Sequence, residues 1–220
     1  LERPSFLAIH SNRIFERYYG NIILKQHGRK EIEFDLQNYS NFFDKDVNLR
    51  GIDFKGRNDN DVLVGPLARH KLTNLDKFEK INSFLGGFNK FWEKNLLFSS
   101  FLGLIEIYSE VIRCIEYLND PCFNTKRPLP SFDSIKHLEA SSAVEAPRGL
   151  LLHHYEVLKM SKIKCLKLFT ATEFNLPLIN KMITKYARIL YEEKGDINLV
   201  EKMVQLIIRA FDPCVSCATH

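Results

Sequence analysis

No stretch of this 220-residue chain approaches the roughly eighteen consecutive apolar residues that a membrane-spanning helix needs, so no helical span is expected. No secretory leader is expected in the sequence as it stands, since Leu1-Glu2-Arg3-Pro4 opens with charges and is then broken by proline. Neither a dinucleotide-binding GxGxxG nor a phosphate-binding P-loop occurs, and Gly86-Gly87 is too short to replace one. Ser-His-Asp catalysis finds no nucleophile-elbow motif. Basic residues (31) barely outnumber acidic ones (27) and are interspersed with them, so the charge of +4 reads as a soluble surface. No nucleic-acid partner is expected from that pattern, which lacks a clustered basic face. The first residue is not Met, as in a trimmed chain or a segment of something longer.

At 45% hydrophobic residues the chain can bury one large core or two small ones. Apolar and aromatic residues over 5–26 (Phe6, Ile14, Phe15, Tyr18, Tyr19, Ile22, Ile23) predict a helix. Residues 27–66 are turn-rich with short strand-like pieces such as Ile32-Glu33-Phe34, and Asp61 to Arg69 reads as a strand ending at Gly65-Pro66. Helical spacing returns from Thr73 to Leu118. A connection over 119–134 carries Pro121, Pro128 and Pro130, and a β-rich block from Lys136 to Thr172 has strands at Gly149–Val157 and Lys162–Thr170. Two helices then close the chain. The first starts at Asn175-Leu176-Pro177 with Asn175 as N-cap, and the second runs from about Asn198 to Phe211 after Gly195. The fold class is α+β, helix-dominant: a helical bundle with a small β-rich block. Residues 1–60 form an N-terminal helix and turn-rich segment of unclear role, and residues 61–220 carry the chemistry.

Five cysteines are an odd number, which argues against a secreted disulfide framework and for a reducing cytoplasm with metal-bound thiolates. Cys214 and Cys217 are three residues apart and His220 three further on, directly after a helix that can hold them. Thiolates are soft ligands, and a CxxC on a turn presents both sulfurs to one ion. A Cys-Cys-His zinc site, or half of a zinc site completed elsewhere, reads the same spacing. Against zinc, there is no second CxxC: Cys114 lies in a helical run, Cys165 in a strand and Cys122 in a loop.

Glu145-Ala146-Pro147-Arg148-Gly149 holds a guanidinium near a tight backbone turn, where its fork of donors suits an anionic ligand or a developing charge. An ordinary salt bridge to Glu145 or another carboxylate reads Arg148 as well. His153 and His154 alternate sides on a strand, so at most one faces a site. Thr170 and Thr172 offer hydroxyls at a strand end, where local capping is the plain alternative. Gly65-Pro66-Leu67-Ala68-Arg69 is compatible with a simple turn.

In order, DVLVGPLAR, EAPRGLLLHHY, TATEFN and RAFDPCVSCATH resemble the C-terminal half of a [NiFe]-hydrogenase large subunit, from about Asp61 to His220. The resemblance is to the cytoplasmic methyl-viologen-, deazaflavin- and NAD-linked group. It implies reversible heterolytic cleavage of dihydrogen at a nickel–iron centre with carbon monoxide and cyanide on iron. By the same resemblance Cys214 is the terminal nickel thiolate, Cys217 the bridging thiolate, and His220 a ligand of a nearby magnesium or iron ion. Arg148 stands over the open metal position, paired with Asp212. Thr172 and the Pro147 backbone contact the diatomic ligands, and His153 lies near the bridging cysteine. In this family the chain is cut after that histidine on maturation, so a chain ending at His220 looks like the matured form or like one encoded to end there. The family's other CxxC, in an RxCGxC context, is absent from this sequence. The resemblance therefore implies either a split large subunit, with a partner polypeptide supplying two further thiolates, or a fragment of a longer chain, together with further electron-transfer subunits and an iron–sulfur small subunit. The alternative is a non-catalytic, hydrogenase-derived structural subunit with zinc or no metal at the C-terminal cysteines.

Overall fold

Two unbroken apolar runs near the start, Leu7-Ala8-Ile9 and Ile22-Ile23-Leu24, decide the first layer of the molecule. The computed structural model describes residues 4–26, 28–46, 51–56, 61–75, 78–92, 95–126, 138–158 and 162–218. In it the stretch predicted to be a helix over 5–26 is β-structure instead: β1 (Ser5–Ser11), β2 (Ile14–Phe15) and β3 (Asn21–Lys25). The reason is burial on both faces. Leu7, Ile9, Ile22 and Leu24 enter the main core, while Ala8 and Ile23 pack with Leu72 on the opposite face. Strands covered on both sides lose the alternation that identifies them, and a continuous apolar run imitates a buried helix.

β1 pairs antiparallel with β2 and β3, and β3 with β4 (Ile32–Phe34). A two-stranded ribbon, β5 (Phe43–Asp46) with β6 (Gly51–Phe54), closes one side of the core. β7 (Val62–Leu63) adds parallel to β1, so segments on either side of residue 60 share one sheet. The β-rich block is a three-stranded sheet of β8 (Glu139–Ala146), β9 (Gly149–Leu158) and β10 (Lys162–Phe169), in the order β10-β9-β8. Phe43, Phe54, Phe169 and Phe174 meet edge-on or tilted beneath these sheets.

The helices are α1 (Pro66–Leu72), α2 (Glu79–Trp92), α3 (Phe98–Asn119), α4 (Ala171–Lys194) and α5 (Ile197–Phe211). Leu67, Leu102, Leu178, Met182, Ile207 and Phe211 bring α1, α3, α4 and α5 into a second core. α4 begins earlier than predicted. Thr170 caps it: its hydroxyl accepts from the Glu173 N–H, and Glu173 returns a carboxylate to the Thr170 N–H. That capping box outranks the Asn-Leu-Pro signal, leaving Pro177 inside the helix and Asn175 free for another task. α4 ends at left-handed Gly195, as expected, and Asp196 caps α5. Cys122 lies in a short 3-10 turn after α3 with an exposed thiol. The expectations at Pro128, Pro130 and His220 fall outside the described residues.

Candidate metal centre

In the β8–β9 hairpin Ala146 pairs with Gly149, so Pro147 and Arg148 are the two residues of the turn itself. Proline presets the first turn dihedral, and Gly149 takes φ 133°, which other residues avoid. This tip lies directly on the Val64-Gly65 backbone. A Cβ on Gly65 would stand 2.7 Å from the Arg148 carbonyl oxygen, and one on Gly149 would stand 2.8 Å from the Gly65 nitrogen. Asn175 clamps the other side, its Oδ1 accepting from the Val64 N–H at 2.9 Å.

Arg69 locks the arrangement from beneath and is 1% exposed. Its Nε donates to Glu106 Oε1 at 2.8 Å and its terminal nitrogens to Glu106 Oε2 (2.5 Å) and Glu145 Oε2 (2.8 Å). The same nitrogens donate to the carbonyls of Ala146 (3.0 Å) and Pro147 (2.9 Å), so the guanidinium's donors are fully used. Glu145 Oε1 accepts the Ile9 N–H at 2.8 Å. Burial alone would raise the Glu106 carboxyl, but the Arg69 charge and hydrogen bonds hold it at about 2. Burial pushes the Glu145 carboxyl up against the same attraction. Glu145 therefore pairs with Arg69, and Arg148 pairs elsewhere.

Its partner is Asp212. As the C-cap of α5, Asp212 is left-handed at φ 46° and donates its N–H to Ile208 O. Arg148 Nε stands 2.8 Å from Asp212 Oδ2 and also donates to the Asp212 carbonyl at 2.7 Å. A cation thus sits at the negative end of α5 and satisfies a carbonyl the helix leaves open. Both side chains remain about half exposed or more.

Past Pro213 the chain folds into a tight turn in which the Cys217 N–H donates to Cys214 O at 3.1 Å. Thr172, in the first turn of α4, accepts the Cys214 N–H at 2.9 Å. The Cys214 and Cys217 sulfurs are joined as a disulfide with their Cα atoms 5.2 Å apart. Reduction opens such a bond to two thiols on one turn. Pro147, Arg148, Thr172, Asp212, Cys214 and Cys217 thus converge through the start of α4, the end of α5 and the hairpin tip. His153 stands aside from these hydrogen bonds; its Nδ1 lies 3.3 Å from the Tyr155 hydroxyl. His154, on the buried face of β9, meets the Ser141 hydroxyl at 3.0 Å.

Among the described residues no group of three or more His, Cys, Asp or Glu could hold a metal ion. The donor chemistry fits a soft metal as two sulfur ligands on an exposed turn, and does not make a closed site. Sequence reasoning missed the Arg69–Glu106–Glu145 knot. Its signal is a charge at an inward position. Glu106 falls on the Leu102–Ser109 stripe of α3, and Glu145 alternates inward with Ala143 on β8.

Beside these motifs α3 forms one wall of an open groove of about 970 Å³. Its facing wall is the Ala146–Arg148 turn with Phe211 and Asp212. No described helix is long and apolar enough to cross a membrane.

No protein-family model matches the chain. It is 30% identical over 210 residues to the beta chain of the NAD-reducing hydrogenase HoxS of Cupriavidus necator, covering 86% of this chain and 41% of that one. It is 29% identical over 234 residues to a chain of the F420-non-reducing hydrogenase vhc of Methanococcus voltae, covering 97% and 48%. The fold matches the crystal structure of an NAD+-reducing [NiFe]-hydrogenase in the H2-reduced state with a TM-score of 0.80 at 21% identity, over 99% of this chain and 51% of that one. The chain spans about half the length of the relatives it matches.

Proposed function

The chain is a homologue of the [NiFe]-hydrogenase large subunits over about half of such a polypeptide, and on that premise we propose that it is the C-terminal half of a hydrogenase active site. The activity is reversible heterolytic cleavage of dihydrogen, completed by a partner polypeptide that brings two further thiolates in an RxCGxC segment. One observation carries the reading. Arg148, Asp212, Thr172 and the Cys214–Cys217 turn, scattered over about 70 sequence positions, are drawn into one cluster by hydrogen bonds and the chain between them.

Cys214 and Cys217, once reduced, would hold the nickel–iron centre, and His220 a neighbouring magnesium or iron ion. When bound, the centre with its carbon monoxide and cyanide ligands supplies the Lewis acidity and redox capacity that dihydrogen cleavage requires. The chain's own residues prepare the surroundings. Arg148 spends Nε on Asp212, which leaves its two terminal amino groups to face charge that develops beside the sulfurs. Asp212 Oδ2 anchors that guanidinium and keeps its orientation while charge moves nearby. The Thr172 oxygen accepts the Cys214 N–H, so its own hydrogen stays available to a diatomic ligand. Pro147, tied through its carbonyl to Arg69, sets the turn from which Arg148 projects and lines the same ligands. His153 is assigned to the surroundings of the bridging cysteine.

Electrons must leave through iron–sulfur clusters, for which this chain keeps no spare cysteine cluster. The reading thus includes further electron-transfer subunits and an iron–sulfur small subunit, in the cytoplasm. Elemental analysis and infrared spectroscopy of the native complex test it. Nickel and iron with carbon monoxide and cyanide bands are the expected result; zinc alone without those bands overturns it.

A second reading, a structural role with zinc or no metal, draws on the presence of only two mutually bonded sulfurs at the site. Cys214→Ser separates the two. Lost dihydrogen-dependent activity in an intact assembly favours catalysis; lost folding in a complex never active favours structure.

A further inference from the structure

Among the described residues, α3 carries a long exposed apolar stripe, in which Tyr108 meets Phe78 edge-on. Leu104, Ile107, Tyr108, Val111, Ile115 and Leu118 recur at three- and four-residue spacing, and each is more than half exposed. That is the spacing of a helix-packing seam, on the side of α3 away from the second core. Scattered exposed leucines need no explanation, but a contiguous apolar stripe of this length marks a contact surface. Leu104, Ile107, Val111 and Ile115 of this stripe line the groove of about 970 Å³ whose other wall is the Arg148–Asp212 pair.

We infer that this seam is the docking surface for the part of a hydrogenase large subunit that the chain does not span, presenting apolar helix faces along α3. The inference rests on the hydrogenase reading above. Three observations select this occupant over a second copy or an unrelated protein. The relatives continue for about as much sequence again as this chain provides. The proposed centre needs two further thiolates, and this sequence holds no second CxxC to supply them. And the groove runs to Arg148 and Asp212, so a body seated on α3 reaches the sulfur turn without crossing the rest of the surface. Charge on this wall is already matched internally, Arg17 to Glu110 at 2.9 Å, so apolar packing supplies the attraction.

Cys114 is a native reporter, exposed in this chain and lining the groove. In the purified native assembly a small maleimide should label Cys114 at least about tenfold more slowly than after unfolding. A photoreactive residue at Val111 should cross-link to a peptide of the large-subunit half not spanned here. Ile107→Lys with Val111→Lys, two exposed positions that leave the cores intact, should weaken that association by about tenfold or more. Rapid labelling of Cys114 in the assembly, or cross-links only to an iron–sulfur protein, to a second copy or to nothing, overturns the docking surface. Infrared bands and nickel content measured on the same sample keep the two readings apart. Nickel and bands with an unprotected Cys114 refute the surface and leave the hydrogenase reading standing; their absence refutes the latter.

Discussion

Arg69 shows how much one buried side chain can organise. It pairs with both Glu106 and Glu145 and at the same time holds the carbonyls that precede Arg148. Breaking a buried ion pair from one side is costly because the remaining charge keeps its desolvation without its partner. Arg69→Met should therefore lower unfolding free energy by about 3–5 kcal/mol in denaturant titrations. Adding Glu106→Gln and Glu145→Gln should restore most of that loss, because no charge is then left buried. A triple variant as unstable as the single one would show that shape rather than charge holds the site. Little of this was legible in the sequence, where Gly65-Pro66-Leu67-Ala68-Arg69 is compatible with a simple turn. The role of Gly65 becomes visible only when the Arg148 carbonyl is placed 2.7 Å from its absent Cβ. Arg148 itself was readable from Pro147 and Gly149; its local pattern left Glu145 open as a partner, whereas the resemblance already named Asp212, beside which the structure places it.

At the scale of elements, β9, β10 and the helices α3 and α5 follow their local patterns closely, while β8 is not among the strands predicted. The failures have two causes. β1 and β3 are covered on both faces, so their periodicity vanishes, and the start of α4 depends on a reciprocal Thr170–Glu173 bond that competes with a strong Asn-Leu-Pro signal. The earlier start has a consequence at the site, because it places Thr172 in the first helical turn where it receives Cys214. Thr170→Ala should cost about 1 kcal/mol, seen as a lower midpoint in thermal melts. Thr172→Val should leave the melt within about 1 kcal/mol of the parent yet loosen the Cys214 turn, detectable as faster amide exchange at Cys214. Unchanged exchange there would remove Thr172 from the anchoring role.

The whole molecule is tied together by the same charged knot. Through Ile9, Arg69, Glu106 and Glu145 it links β1, α1, α3 and β8. Glu106 is held at about 2 against an ordinary value of 4.5. A carboxyl lowered by folding stabilises above its unfolded pKa and loses that contribution as pH falls toward the folded one. The stabilisation, about 3 kcal/mol, is therefore complete above about pH 4.5 and lost progressively toward pH 2. Glu145, raised by burial, contributes with the opposite sign and in a different window: its cost to stability is present above its raised folded value and is relieved as pH falls toward about 4.5, so it does not enter the loss below that. Melts between about pH 6 and 2 should show the acid loss in the parent and a flatter profile in Glu106→Gln. The knot also bears on time as well as energy. Ile9 and Glu145 are separated by 136 residues, and a link of that span must close a long loop before it returns any enthalpy. Contacts of that span carry a high loop-closure cost, and contacts absent from the transition state act on the rate of opening. The knot therefore sets how slowly the folded chain opens more than how quickly it folds.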